Sequence, residues 1–319
     1  MGASLSRRLA ESKLARAFPT FSLPYAINHR QSMDNQTEGF PVTVWEFTVL
    51  VWAGSLAAGF LGALTGLGGG VVLVPLLALV FHVDLRYAIG ASLVSVIATS
   101  SGAAAAYVRE GYSNIRVGMF LEIATSLGAL AGAIVAAFVS PRATAVVFGF
   151  VLLISAYLSS RRHAESSADD KPDWLAARLR MDGSYPSLQG PKAYHVRNVP
   201  QGFCLMVVAG VLSGLLGIGS GAFKVLAMDQ VMRLPFKVST TTSNFMIGVT
   251  AATSAGVYLQ RGYIDPGLSM PVMLGVLLGS FLGTRVLAVT RTPVLRIVFG
   301  LVILALAIEM IYKGLTGEL

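Results

Sequence analysis

The segment GFLGALTGLGGGVVLVP occupies residues 59–75, and GVLSGLLGIGSGAFK occupies residues 210–224. Each is an apolar run that breaks on a glycine cluster and then resumes. The clusters read Gly66-Leu67-Gly68-Gly69-Gly70 and Gly217-Ile218-Gly219-Ser220-Gly221. They lie 151 positions apart, and with that shift residues 59–151 align on 210–302 without a gap. Gly66, Gly68 and Gly70 fall on Gly217, Gly219 and Gly221; Ser92 falls on Ser243, Tyr107 on Tyr258, and Gly128 and Gly132 on Gly279 and Gly283. Such self-similarity reads as an internal duplication.

The rest of the chain fits a membrane. Of 319 residues, 54% are hydrophobic and only 13% charged, with a mean hydropathy of +0.68. Soluble domains carry about 25% charge, so a water-soluble enzyme and a disordered chain are both excluded. No charge occurs in 47–81, 87–108, 143–160, 198–223, 238–260 or 266–284. About 20 apolar residues cross a bilayer as a helix, and the runs lack the alternation of barrel strands. The expected fold is all-α: a polytopic integral membrane helix bundle of two tandem homologous repeats with Gly-interrupted short helices. The expected domains are a polar N-terminal extension (1–44), a first transmembrane repeat (45–160), a charged cytoplasmic linker (161–199) and a second repeat (200–315). The net charge of +8 fits lysine and arginine collecting on the cytoplasmic side, not nucleic-acid binding. The single cysteine, Cys204, allows no intrachain disulfide, and the four histidines are scattered, so no cofactor, metal site or catalytic set is expected.

In each half an 11-residue apolar segment such as 71–81 follows the break. As a helix it covers only about 16 Å and cannot cross alone. Paired Gly-interrupted segments at matching positions point to a transporter binding site. Gly66, Gly68, Gly69 and Gly70, with Gly217, Gly219, Ser220 and Gly221, would bare helix amides toward an anion at membrane depth. The alternative is that the glycines only permit close helix packing, which is the reading preferred for Gly128-x-x-x-Gly132 and Gly279-x-x-x-Gly283. Lys224 is an intramembrane cation beside the second cluster and would reinforce an anion site; Asp229, five residues on, is the expected though imperfect partner. Glu122 and Arg285 read as snorkelling groups or a structural pair. Ser92, Ser95 and Thr99 share a helix face, matched by Ser243 and Thr250, and Ser92, Ser243 and Asn244 are candidate pathway donors.

With these residues in view, residues 45–315 resemble the sulfite exporter TauE/SafE family, also described as the 4-toluene sulfonate uptake permease family. The resemblance rests on 59–75 and 210–224, on Ala91-Ser92 and Thr242-Ser243, and on Gly111-Tyr112 and Gly262-Tyr263. It implies a bacterial inner-membrane permease or exporter for a small organic or sulfur-containing oxyanion such as sulfite, sulfonate or sulfoacetate. The expected partners are that anion, the lipid bilayer and a coupling ion, proton or sodium. An anion channel on the same scaffold is the alternative; a membrane scaffold or an intramembrane enzyme fits less well. Whether the halves are inverted or parallel depends on whether the short segments cross.

Overall fold

The computed structural model describes residues 43–65, 69–109, 113–160, 173–187, 190–287 and 292–317. Two compact units divide the chain, Met1–Phe47 and Thr48–Leu319. In the first, the Thr43 amide donates to Glu46 Oε2 at 2.7 Å and the Glu46 amide donates to Thr43 Oγ1 at 3.4 Å. This reciprocal pair opens the first helix by satisfying two amides that have no partner within it. The description below concerns the second unit.

The chain forms an all-α polytopic bundle with one small hairpin in its middle. The helices of the first half are α1 (Val44–Thr65), α2 (Gly70–Pro75), α3 (Leu85–Arg109), α4 (Ile115–Val135) and α5 (Pro141–Ser160). A short helix α6 (Trp174–Arg178) and strands β1 (Gly183–Ser187) and β2 (Gly190–Tyr194) follow. The second half is α7 (Val199–Leu216), α8 (Gly221–Leu226), α9 (Phe236–Gln260), α10 (Pro266–Leu287) and α11 (Thr292–Thr316). Among the described residues, four helices are long and apolar enough to cross a membrane, over Val44–Gly62, Ile115–Val135, Val199–Leu216 and Pro266–Gly283. On α4 the exposed side chains include Met119, Ile123, Leu127 and Leu130, and on α10 Met270, Leu274, Leu278 and Phe281. Apolar stripes of this kind at helical spacing suit a lipid-facing surface.

Both helix breaks fall where the glycines place them. α2 runs on into a π turn, Leu76–Val80, and α8 into another, Ala227–Val231. The short segments are therefore Gly70–Val80 and Gly221–Val231, one residue earlier than the sequence pattern suggests for the first. Each closes on a five-residue hydrogen bond, Phe81 N to Leu76 O and Met232 N to Ala227 O. His82 and Arg233 then take left-handed backbone angles, φ 52° and 56°.

Glycines set how the long helices meet. A Cβ on Gly128 of α4 would lie 2.2 Å from the Val207 carbonyl oxygen of α7, and one on Gly132 would lie 2.1 Å from that of Val211. On the other side, a Cβ on Gly279 of α10 would lie 2.0 Å from the Leu56 oxygen of α1. Gly59 and Gly210 return the contact, against Val276 and Thr125. Each half thus packs its fourth helix, the third of its long ones, on the first helix of the other half, backbone to backbone, and the two are interlocked. α3 and α9 pack on each other, and α4 also packs on α9.

The linker differs from the plain polar connection that its composition suggests. Its described part is folded onto the bundle. β1 and β2 pair antiparallel from Gly183↔Tyr194 to Ser187↔Gly190. Ala176, Met181, Tyr194 and Val196 bury against Val117 and Leu121 of α4 and against Met228, Met232, Leu234 and Val238. Asn114 ties these layers: its Nδ2 donates to the Met181 carbonyl and to Tyr194 Oη, both at 2.8 Å, and its Oδ1 accepts from Val117 N. Burial pushes the Tyr194 phenol up, outweighing the opposing Asn114 hydrogen bond, so the ring stays protonated in this contact at neutral pH.

Gly128→Ala should cost about 1–3 kcal/mol of stability, because the added carbon meets backbone that cannot yield. Gly256→Ala, where a Cβ would meet nothing within 4 Å, should be neutral or gain up to about 1 kcal/mol from helix propensity. Thermal unfolding in detergent distinguishes the two.

Candidate functional site

The two breaks meet inside the bundle. Of the expected site residues, Gly66 and Gly68 lie outside the described residues. Gly69 precedes α2, and its carbonyl accepts from Val72 N and Leu73 N. Gly70 opens α2, and a Cβ there would lie 2.8 Å from Ser92 Oγ and 3.4 Å from the Gly217 carbonyl oxygen. The fully buried Ser92 hydroxyl donates to that same carbonyl at 2.9 Å. Ser92 of α3 therefore bridges toward the second break while touching the first.

The second break needs its glycines. Gly217 and Gly219 have φ of 67° and 69°, and Ser220 between the break and α8 has φ 48°. L side chains seldom adopt this region. Gly217 packs on Ile89, and Gly219 packs on Ile247 and Val96. Ser220 is buried, and its Oγ has no hydrogen-bond partner among the described residues. Ser243 of α9 donates to the Gly221 carbonyl at 3.3 Å, and Asn244 beside it is half-buried. Ser95 and Thr99, on the same stripe as Ser92, instead bond back to carbonyls of their own helix, Ala91 and Ser95. Hydroxyls on one stripe therefore divide between joining the breaks and satisfying their own helix.

Lys224 lies one turn into α8 and has no exposed surface at all. It does not snorkel. Its partner differs from the expected Asp229, which falls in the π turn beyond. Lys224 Nζ instead hydrogen-bonds Thr250 Oγ1 of α9 and stands 3.7 Å from Glu122 Oε2 of α4. Thr250 Oγ1 lies 2.7 Å from Glu122 Oε1, and Ser126 Oγ donates to that same oxygen at 3.0 Å. Glu122 Oε2 makes no hydrogen bond among the described residues. A buried ammonium and carboxylate each lose several kcal/mol of hydration, and their mutual attraction offsets this only in part. Glu122 is the sole charge in the run 117–141. That isolation was the available signal; the position of its partner was not readable, because α4 and α8 are about 100 residues apart.

The crevice at one end of the bundle is structural by its contacts. It is lined by Arg86, Arg261, Tyr258 and Tyr263, among others. Arg261 donates to the Ala133 carbonyl at the end of α4, and Arg86 donates to Tyr263 Oη. Tyr258 Oη donates to the Gly214 and Leu215 carbonyls, just before the second break. Tyr258 matches Tyr107 at the 151-residue offset, a position whose side chain lies outside the described ones. Among the described residues, no group of three or more His, Cys, Asp or Glu is placed to hold a metal ion.

Comparison with known proteins adds the biological frame. A family model described as sulfite exporter TauE/SafE matches residues 51–310. A probable membrane transporter protein of Bacillus subtilis, YunE, is 28% identical over 277 residues, covering 84% of this chain and 98% of its own. A probable membrane transporter protein of Xylella fastidiosa is 25% identical over 278 residues, covering 86% and 98%. A third, from Methanocaldococcus jannaschii, is 22% identical over 243 residues, covering 72% and 82%. No solved structure matches the chain.

Lys224→Met alone should destabilise the protein by about 3–5 kcal/mol, since it strands a buried carboxylate, and adding Glu122→Leu should recover most of that loss. Detergent melting curves of the single and double variants check this.

Proposed function

We propose, because this chain belongs to the sulfite exporter TauE/SafE family of membrane transporters, that it carries a small sulfur-containing or organic oxyanion across a bacterial inner membrane, at a site between its two helix breaks. The observation that carries this reading is Lys224: a lysine with no exposed surface, one turn past a glycine break, inside a helix bundle. Ionisable groups at membrane depth are costly and mark substrate or ion pathways. The N–H groups at the start of α8 and the Ser92, Ser243 and Asn244 side chains stand on the elements that meet there, and they supply the donors an oxyanion needs.

The site works by alternate exposure. The described glycines of both breaks are buried, so transport requires a movement that uncovers them. Rocking one interlocked half against the other opens the site to one face at a time, as expected for duplicated transporter folds with discontinuous helices. The halves 45–160 and 200–315 act as the two repeats, the linker 161–199 joins them, and residues 1–44 stand outside the transport core. The anion displaces Glu122 as the partner of Lys224.

Purified protein in liposomes should accumulate radiolabelled sulfite or sulfoacetate, and Lys224→Met/Glu122→Leu, which keeps the fold, should fall to the protein-free background. Wild-type flux in that double variant sinks the site; flux of neither anion in the wild type sinks the anion reading.

A further inference from the structure

We infer that Glu122 is the proton-coupling group of this carrier, exchanging a proton against the pairing of Lys224 with the transported anion. This rests on the transport reading above and deepens it by naming the coupling ion and the residue that takes it. Four observations converge on the same few atoms. The Glu122 side chain is 9% exposed and that of Lys224 is 0% exposed, so neither is stabilised by bulk water. The two are 3.7 Å apart, too far for a direct hydrogen bond. Glu122 Oε2 has no hydrogen-bond partner among the described residues, whereas Oε1 is met by Thr250 and Ser126. Thr250 Oγ1 touches both the ammonium and the carboxylate, so any movement of α8 against α4 is felt by both charges.

The step balances simply. With no anion bound, Lys224 is an ammonium and Glu122 a carboxylate, and the buried pair is neutral. An anion that takes the ammonium leaves the carboxylate unpaired in a medium that penalises lone charges. Glu122 then binds one proton on Oε2, so the pocket holds an ammonium, a neutral carboxylic acid and the anion, which sum to zero for a monoanion such as hydrogen sulfite and to one negative charge for a dianion such as sulfoacetate. Release of the anion restores the ion pair and expels the proton on the same side. One proton therefore travels with each anion.

The other charged and titratable groups on the surrounding elements do not take this role. α7, packed along α4, has no charged residue, and its Cys204 is exposed. On α9, Lys237 is exposed in the first turn, and Tyr258 is bound to the Gly214 and Leu215 carbonyls near the far end. On α4 itself, Arg116 is exposed and donates to the Arg180 carbonyl. Asp229, in the π turn after α8, has contacts of its own. On α5, Arg142 and Tyr157 are exposed. A sodium ion is the rival, since Ser126 and Thr250 set hydroxyl oxygens against the carboxylate. Oε2, the oxygen left bare when the ammonium turns to the anion, has no hydroxyl hydrogen-bonded to it among the described residues, so it offers a proton the single oxygen it needs but gives a sodium ion no cage of ligands.

The test uses the full chain in liposomes clamped at zero voltage by valinomycin and equal potassium, with radiolabelled sulfite and sulfoacetate as probes. A pH gradient of about one unit should drive about tenfold accumulation in the wild type, since one unit of proton potential equals a factor of ten, and a sodium gradient should drive none. Glu122→Gln, which strands the Lys224 ammonium until an anion binds and should therefore melt lower without anion, should lose the pH-driven accumulation and the accompanying proton flux, while exchange of internal unlabelled for external labelled anion, in which the carrier never crosses empty, falls but stays above the protein-free background. Exchange reports on the carrier itself, so its survival separates loss of coupling from loss of fold or of the transport site. An independent readout needs no variant: carbodiimide, which modifies protonated carboxyls in apolar surroundings, should label Glu122 more in the presence of sulfoacetate, read by mass spectrometry. Proton-driven accumulation by Glu122→Gln, sodium-driven accumulation by the wild type, or labelling of Glu122 that ignores the anion would overturn the inference. Absence of all exchange in the wild type would instead remove the transport reading beneath it.

Discussion

A charge withdrawn from water has to be answered by another charge, and in this bundle the answer comes from three separate helices at once. Lys224 on α8, Thr250 on α9 and Glu122 on α4 close a short polar chain. Without the carboxylate the ammonium would be stranded, and without the ammonium the carboxylate would. Their mutual dependence fixes where the short broken helix sits against the long ones. It also makes that position sensitive to anything that competes for either charge.

The second constraint is backbone proximity. Gly128, Gly132 and Gly279 let α4 and α10 lie directly on the carbonyls of α7 and α1. Close approach of this kind substitutes for the hydrophobic effect, which gives no drive between helices already surrounded by lipid tails. Each half holds the first helix of the other, backbone against backbone. The breaks at Gly70 and Gly217 lie between these packed helices and are bridged by Ser92. The folded linker joins the same packing, because Met181 and Tyr194 are tied through Asn114 to the start of α4.

Much of this was legible in the residues. Length, low charge and apolar runs required membrane helices, because only a closed hydrogen-bonded backbone survives in lipid. The glycine clusters located both breaks, since an unbranched backbone is needed where φ turns positive, as it does at Gly217 and Gly219. Gly128, Gly132 and Gly279 of the Gly-x-x-x-Gly pairs pack against the backbone of a neighbouring helix, as the spacing suggests. The site was legible in parts. Lys224 stood out because a lone cation in an apolar run is anomalous, and Ser92 and Ser243 because they recur at one offset. Lys224 pairs with Glu122 and not with Asp229 further along its own segment, since a contact between helices far apart in the chain leaves no local signal in the residues. The hairpin at Gly183–Tyr194 escaped notice because its strands are short and it buries its apolar side on a surface that exists only once α4 and α9 have assembled.

What the sequence determined by itself was the material: helices, their breaks, and a small number of polar groups placed at membrane depth, all of which follow from local chemistry and from the cost of leaving a backbone or a charge unsatisfied in lipid. What only the tertiary structure decided was which of those groups face one another. Glu122 meets Lys224, and Gly70 meets Gly217, across more than 100 residues of intervening chain. Such contacts are chosen by how the helices pack, and packing is a property of all the helices together.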